Sequence, residues 1–304
     1  MELIEKILSE ENLQKAIRKV KKNKGAPGVD KMTVQEVEEW FNQYKEELIS
    51  KILNKQYKPM PVKRVYIPKP NGKQRPLGIP TVVDRVIQQA MLQVLSEIYE
   101  PIFSDHSYGF RPNRSAHMAM GEVLGYLNAG YEWIVDLDIE KFFDTVNHDK
   151  LISILREYVN DSKTLHRIRA YLRAGVFDKG LVKSTTVGTP QDGPVRVLLT
   201  NINLDRFDKG IETRGRRFVR YADDCTIFVK SEMSAKSSHE VSDIMVRKLF
   251  LKISAIKTKV DHPTRGQFLG FIFYKNSEQW KCKPSKKHLY EKIKVLLSRR
   301  HAVH

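Results

Sequence analysis

Hydrophobic residues near the N-terminus recur at the spacing of amphipathic helices. One apolar stripe predicts a helix over 11–22, which runs into a basic loop at 21–28. A second stripe predicts a long helix that begins after Thr33, the expected N-cap. The residues of this second stripe are Val37, Trp40, Phe41, Tyr44 and Leu48. We therefore expect the chain to begin with helices that bury one apolar face.

The pattern changes to strand-like alternation at 62–80, where two runs flank the turn dipeptide Asn71-Gly72 and predict a β-hairpin. Helical and strand patterns then follow each other to the end of the chain. Further helices are expected at 82–103, 115–127, 148–159, 162–174, 194–209 and 234–252. Strands are expected at 133–138, near 181–187, in a hairpin at 218–229, and at 253–260 and 268–274.

Composition narrows the function class. The chain has 304 residues, and 53 Lys and Arg against 36 Asp and Glu give a net charge of +17, which favours a polyanionic partner such as nucleic acid. No apolar run approaches the roughly 18–20 residues that span a bilayer. Cys225 and Cys282 lack the CxxC spacing of a zinc site, and Cys225 is expected to be a small buried strand residue. We expect a cytoplasmic, nucleic-acid-associated protein.

Carboxylates at the ends of two predicted strands are the strongest chemical signal. Asp223 and Asp224 stand at the turn of the 218–229 hairpin, and Asp136 and Asp138 share one face of another strand. Crowded carboxylates raise one another's pKa, and a hard cation such as Mg²⁺ relieves the repulsion. Carboxylates from both strands could hold two metal ions about 3.5–4 Å apart for nucleotidyl transfer. An Asp-Asp pair is also an ordinary turn sequence, so the pair alone does not decide between a metal site and a structural turn.

Several motifs resemble those of bacterial group II intron-encoded reverse transcriptases, and they occur in that family's order between about residues 10 and 275. Tyr221-Ala222-Asp223-Asp224 is similar to the signature box of reverse transcriptases. The other motifs are the stretches Lys69–Pro80, Ser107–Ser115, Asp138–Asp144, Val187–Gln191 and Phe268–Phe271.

The resemblance implies an α+β fold, a right-hand polymerase with fingers and an antiparallel palm sheet with packed helices, whose thumb is largely missing. We expect an N-terminal extension and fingers at 1–128, with the fingers continuing in helices near 148–180. The palm is expected at 129–280, and the start of a thumb or maturase domain at 281–304.

The implied function is RNA-directed DNA synthesis with two Mg²⁺ ions, for which Mn²⁺ could substitute, together with help in splicing the intron RNA. The implied partners are RNA template, DNA primer, intron RNA and dNTP, without a membrane. Carried over by motif, the catalytic metal ligands are Asp138, Asp223 and Asp224.

The resemblance also implies residues that bind substrate and RNA. Lys69 and Arg75 would hold the triphosphate, and Phe143 would lie under the sugar and exclude a 2′-hydroxyl. The backbone carbonyl of Ile139, together with Gln191 and Tyr221, would complete the substrate site. The expected RNA-binding residues are Lys19, Lys21, Lys22, Lys24, Lys63, Arg64, Arg111 and Arg114.

The chain departs from the family at Asp192, where relatives have glycine, and at Arg196 and Val197, where they have serine and proline. Arg196 could pair with Asp192 four positions away. The segment 253–258 also lacks an asparagine common in relatives. These departures and the missing thumb keep open an alternative, a polymerase-impaired RNA-binding maturase fragment. A third possibility is a reverse transcriptase-like defence or diversity-generating protein, although the motifs before residue 120 favour the intron class.

Overall fold

The chain folds into two compact units. The computed structural model describes residues 2–68, 72, 74–140, 142–188, 193–254, 258–286 and 289–290, with only the backbone of 239–241 and 243–245. The first unit contains residues 1–103 and 141–204, and the second contains 104–140 and 205–304. Residues 104–128, which were predicted to belong to the fingers, therefore share a unit with the predicted metal-binding aspartates.

The first unit combines helices with a four-stranded sheet. Its helices are α1 (Leu3–Ile7), α2 (Glu10–Lys22), α3 (Val37–Leu53), α4 (Val82–Tyr99), α6 (Phe142–Thr145), α7 (His148–Leu155), α8 (Ser162–Leu172) and the first half of α9 (Arg196–Glu212). Its strands are β1 (Val62–Pro68), β2 (Gln74–Ile79), β4 (Val176–Asp178) and β5 (Leu181–Lys183). The sheet order is β2-β1-β4-β5, and only the β1–β4 pair is parallel.

Most of the predicted helices are confirmed, with ends that shift by a few residues, but the start of α3 is corrected. The helix begins at Val37, and Glu36 occupies the N-cap position. Thr33 instead begins the turn before the helix, where its backbone N and its Oγ1 both donate to the Glu36 carboxylate. The Thr33 hydroxyl is therefore used by a local turn that competes with helix capping.

The second unit is built on an all-antiparallel sheet. Its helices are α5 (Ala116–Asn128), the second half of α9, and α10 (Glu232–Arg247). Its strands are β3 (Trp133–Leu137), β6 (Arg217–Tyr221), β7 (Asp224–Val229), β8 (Lys259–Asp261), β9 (Gln267–Phe268), β10 (Phe271–Asn276) and β11 (Gln279–Pro284). One sheet has the order β6-β7-β3-β8, and a smaller one has the order β11-β10-β9. Of the strand predicted at 253–260, the described residues show β8 at 259–261 and an isolated bridge between Ile253 and Ile139, and 255–257 lie outside the described residues.

One face of the larger sheet is apolar at one end and acidic at the other. Ile134 and Phe228 are directly paired, so they lie on the same face, where they pack into a buried cluster with Val123 of α5 and Trp280 of β11. The same alternation brings Asp136 to this face two residues further along β3. The apolar cluster thus anchors the sheet, and the carboxylates lie beyond it.

A partly buried polar cluster joins α5 to the segment before it. The Glu122 carboxylate accepts hydrogen bonds from the hydroxyls of Tyr108 and Tyr126 and from Nδ1 of His106, at 2.5 Å for the histidine. The hydrogen bond to Glu122 is the main cause of a raised pKa of His106, against the effect of burial. The charge of Glu212 adds to this shift, and that of Arg217 opposes it.

Candidate active site

The β6–β7 hairpin confirms the predicted turn and presents two adjacent aspartates. Tyr221 pairs with Asp224, which leaves Ala222 and Asp223 as a two-residue loop. Ala222 has φ 60°, a left-handed conformation that costs a non-glycine residue about 1–2 kcal/mol. Asp223 is half-buried, whereas Asp224 at the start of β7 is exposed. The turn therefore holds a strained backbone beside two carboxylates.

The strand register brings the second group of carboxylates to the same place. Asp136 of β3 pairs with Thr226 of β7, and Leu137 pairs with Cys225. Asp138 directly follows Leu137, and Asp224 directly precedes Cys225 on the antiparallel strand. Carboxylates from two strands remote in sequence thus lie at the same end of the sheet.

Electrostatics show how crowded this end of the sheet is. The pKa of Asp136 is raised to about 6, first by burial and then by the charges of Asp224 and Asp138. A 3.5 Å hydrogen bond from the Thr226 hydroxyl and the charge of Lys259 act in the opposite direction. The charges of two of the three predicted metal-binding carboxylates, Asp138 and Asp224, therefore act on Asp136.

The backbone after β3 is fixed by the segment that begins at residue 252. The amide of Ser254 donates to the Asp138 carbonyl at 2.8 Å, and the amide of Glu140 donates to the Lys252 carbonyl at 2.8 Å. Thr258 Oγ1 accepts a 3.2 Å hydrogen bond from the Asp138 amide. Because backbone groups alternate sides along a strand, the Ile139 carbonyl is directed away from the 252–254 segment. This orientation suits the predicted use of that carbonyl as a ligand.

Gly109 contacts the backbone of the Tyr221–Asp224 turn and supports it from outside the sheet. This contact was not predicted from the sequence. A Cβ at Gly109 would lie 2.3 Å from the Ala222 nitrogen. The flanking backbone is also paired with β6. The Arg220 amide donates to the His106 carbonyl at 2.9 Å, and the Tyr108 amide donates to the Arg220 carbonyl at 2.8 Å. A glycine inside the 107–115 motif is the sequence signal that could have indicated a close backbone approach.

The carboxylate set fits a divalent cation in its chemistry and in part in its arrangement. Asp138 and Asp224 supply hard oxygen donors on neighbouring strands, the kind of ligand that Mg²⁺ takes. Among the described residues, no group of three or more His, Cys, Asp or Glu side chains is arranged to hold a metal ion. Mg²⁺ is often bound through one or two protein carboxylates plus substrate phosphates, so a pair of carboxylates is sufficient.

The predicted substrate residues fall into three groups. Ile139, buried, and Tyr221, half-buried, lie beside the carboxylates in the second unit. Arg75, which is exposed on β2, belongs to the first unit, as does Phe143. Lys69 and Gln191 lie outside the described residues.

Phe143 has an unexpected neighbour. Phe142 is buried in the core, as expected for one member of this aromatic pair, whereas Phe143 is half-buried. The guanidinium carbon of Arg196 lies 3.5 Å from the centroid of the Phe143 ring, a cation–π contact. The predicted partner of Arg196, Asp192, lies outside the described residues, so that pairing stays a prediction.

Most of the predicted RNA-binding lysines lie on the surface of the first unit. Lys19, Lys22 and Lys24 are exposed at the end of α2 and after it, and Lys63 is exposed on β1, where Arg64 is half-buried. Lys21 is half-buried and forms an ion pair with Glu38. These positions suit contact with a polyanion.

The two predicted RNA-binding arginines of the second unit make protein contacts instead. Arg111 is only 8% exposed, and its Nη1 donates to the carbonyls of Ser104 and Ser107 at 2.5 and 2.7 Å. Arg114 forms an ion pair with Asp105 at 2.5 Å. The contacts of Arg111 fix the loop before α5, and its binding to RNA stays a prediction.

The chain belongs to the reverse transcriptase (RNA-dependent DNA polymerase) family, whose sequence model matches residues 67–273. Its relatives agree with the group II intron motifs. It is 33% identical to the protein YkfC of Escherichia coli (strain K12), over 89% of this chain and 81% of that protein. It is 40% identical to the group II intron-encoded protein LtrA of Lactococcus lactis subsp. cremoris, over 58% of this chain and 30% of LtrA. The predicted family is therefore confirmed, although the chain spans less than a third of LtrA.

Solved structures confirm the predicted α+β class of fold. A chain of a partial Cas6-RT-Cas1–Cas2 complex superposes with a TM-score of 0.51, at 24% identity, over 81% of this chain and 43% of that one. The palm-type sheet predicted from the resemblance appears here as β6-β7-β3-β8, all antiparallel.

In the described part of the chain, no helix is both long enough and apolar enough to cross a membrane.

Proposed function

We propose that this chain is an RNA-directed DNA polymerase of the group II intron type, which extends a DNA primer on an RNA template and binds intron RNA to assist splicing. The observation that carries the proposal is that Asp138 and Asp224 lie at one end of an antiparallel sheet, where the charges of both act on Asp136, next to the Ala222–Asp223 turn. The family match and the intron-encoded relatives support the same chemistry.

The residues of the sheet end have distinct roles in this proposal. Asp138 and Asp224 bind divalent cation through carboxylate oxygens, and Asp223 and the Ile139 carbonyl add further oxygen donors. Two Mg²⁺ ions held by these groups, or Mn²⁺ in their place, would supply the Lewis acid chemistry needed to activate a primer 3′-hydroxyl and to neutralise the leaving pyrophosphate. Asp224 is exposed, so its carboxylate is accessible to an incoming nucleotide.

The remaining substrate contacts come from residues of other motifs. Lys69 and Arg75 hold the triphosphate, and such cations stabilise the charge that develops on the phosphates during transfer. Phe143 lies under the sugar, and Gln191 and Tyr221 contact the nucleotide or template. Their shared membership of the family's ordered motifs supports these roles.

Binding of template and intron RNA uses the exposed basic surface at the end of α2 and on β1. The net charge of +17 favours association with any RNA, and the lysines of the 19–24 segment concentrate positive charge in one region. A cytoplasmic location is part of the same proposal.

The test is primer extension with dNTPs on an RNA template, with Mg²⁺ and with EDTA. Asp224→Asn keeps the size of the side chain and removes its charge, so we expect extension to fall by at least about 100-fold. Asp223→Ala should show a comparable loss. Asp261→Asn is a matched control, because Asp261 lies on β8 of the same sheet and pairs with Arg265 at 2.7 Å.

Two results would contradict the proposal. Equal extension by the wild type and by Asp224→Asn would remove the catalytic assignment of this sheet end. A wild-type protein that extends no primer in Mg²⁺ or Mn²⁺ would remove the polymerase function from this chain.

A further inference from the structure

A buried ion pair lies under the Tyr221–Asp224 turn. Arg220, the residue before Tyr221 on β6, is 1% exposed, and Asp208 of α9 is fully buried. Arg220 Nε donates to Asp208 Oδ1 at 2.7 Å, and Nη2 donates to Oδ2 at 2.5 Å. Two parallel hydrogen bonds fix the orientation of the guanidinium plane.

The same guanidinium reaches the turn itself. Arg220 Nη1 donates to the Ala222 carbonyl at 2.8 Å. That carbonyl belongs to the peptide between Ala222 and Asp223. Ala222 has a φ of 60°, a conformation that residues other than glycine rarely adopt. One rigid group, locked by Asp208, therefore sets the direction of the peptide that leads into the two aspartates.

The sheet separates this ion pair from the carboxylates. Arg220 pairs with Cys225, whereas Tyr221 pairs with Asp224, so alternation directs Arg220 to the opposite face from Asp224. Arg220 therefore acts on the site through the backbone. A buried ion pair is weak evidence of stability, since apolar residues of similar volume often replace one without loss. Its hydrogen bond to the turn gives this pair a role that apolar residues lack.

We propose that Arg220 is a positioning residue: held by Asp208, it fixes the Ala222–Asp223 peptide and so orients the Asp223 and Asp224 carboxylates for binding a divalent cation. This inference rests on the proposed function, because it assumes that these carboxylates bind metal.

The experiment measures Mn²⁺ binding to the purified protein by electron paramagnetic resonance titration, without nucleic acid, together with the melting temperature. Mn²⁺ bound at this site is defined as the signal that Asp224→Asn abolishes. The main variant is the double substitution Arg220→Met and Asp208→Leu, which is neutral in net charge and leaves no buried charge unpaired. We expect its melting temperature to stay within a few degrees of wild type and its Mn²⁺ affinity to fall by about 10–100-fold.

Two further variants separate positioning from general stability and from charge. Arg220→Lys keeps a positive charge beside Asp208, but a single ammonium group lacks the fork that holds Asp208 and the Ala222 carbonyl together. We expect the Arg220→Lys protein to fold and to bind Mn²⁺ at least about tenfold more weakly than wild type. This variant therefore still tests the proposal if the double variant unfolds. Lys236→Met removes an exposed 2.9 Å ion pair with Glu232 on α10 and should leave Mn²⁺ affinity unchanged.

The outcomes distinguish this inference from the proposed function. Wild-type Mn²⁺ affinity in folded Arg220→Lys or in the double variant would refute the positioning role and leave the metal site intact. No Mn²⁺ signal in the wild type would refute the metal site itself, and with it both proposals.

Discussion

Substituting Gly109 with alanine tests whether the turn that carries Asp223 is held by backbone contact. The new Cβ would lie 2.3 Å from the Ala222 nitrogen, 3.0 Å from the Tyr221 carbonyl carbon and 3.2 Å from the Ala222 Cα. All three atoms belong to the backbone, so no flexible side chain can move aside. About 1 Å of displacement is needed to restore an ordinary contact distance.

The surrounding hydrogen bonds make that displacement expensive. The segment before Gly109 is tied to β6 through the Tyr108 amide and the Arg220 amide. Overpacking typically costs 1–3 kcal/mol, and a weakened hydrogen bond adds roughly 1 kcal/mol. We therefore expect Gly109→Ala to lose about 3 kcal/mol of unfolding free energy, which lowers the melting temperature by roughly 5–10 °C.

The assay is thermal unfolding followed by circular dichroism, with Gly121→Ala as the matched control. Gly121 lies on α5 of the same unit, and a Cβ there meets nothing within 4 Å. Alanine is a better helix former than glycine by about 1 kcal/mol, so the control should melt at or slightly above the wild-type temperature. If both variants melt together, the close approach of Gly109 to the turn is not what holds it.

Two other predictions concern pH and salt. Because the folded pKa of His106 is raised by Glu122, its stabilising contribution is complete below about pH 6.5 and is lost as the pH rises through the folded value. His106→Gln should therefore lower the unfolding free energy in urea by roughly 1 kcal/mol more at pH 6 than at pH 9, and a pH-independent difference would contradict this. For RNA binding, Lys22→Ala should reduce the slope of log affinity against log salt by about 0.7, whereas Lys15→Ala, whose lysine pairs with Glu11 at 2.6 Å, should change it less. Equal effects would contradict a local RNA contact at Lys22.

Short-range patterns in the sequence predicted many of the elements. The hairpin around Asp223 and Asp224 and the strand ending at Leu137 follow from alternation and turn chemistry, which act between near neighbours. Local patterns were less reliable where two local interactions compete, since the Thr33 hydroxyl bonds to Glu36 instead of capping α3. They also misplaced strand bounds: the strand expected near 181–187 is part of a β4–β5 hairpin at 176–183.

Residue chemistry alone did not indicate the contacts that Arg111 makes within the protein. An arginine in a basic motif favours a nucleic-acid contact, but the loop before α5 uses its guanidinium to satisfy the carbonyls of Ser104 and Ser107. Buried carbonyls require donors, and which donor supplies them depends on the path of the chain.

The order of the motifs, the excess of positive charge and the acidic strand ends were readable from the chain as written, because each depends on residue type and close spacing. Three features arose only in three dimensions: the strand pairing that brings Asp138 and Asp224 to one end of the sheet, the crowding of Asp136 by their charges, and the support of the turn by Gly109 and by Arg220 with Asp208. Each joins segments separated by intervening elements, and the sheet register and helix packing that bring them together result from burying the whole apolar core at once.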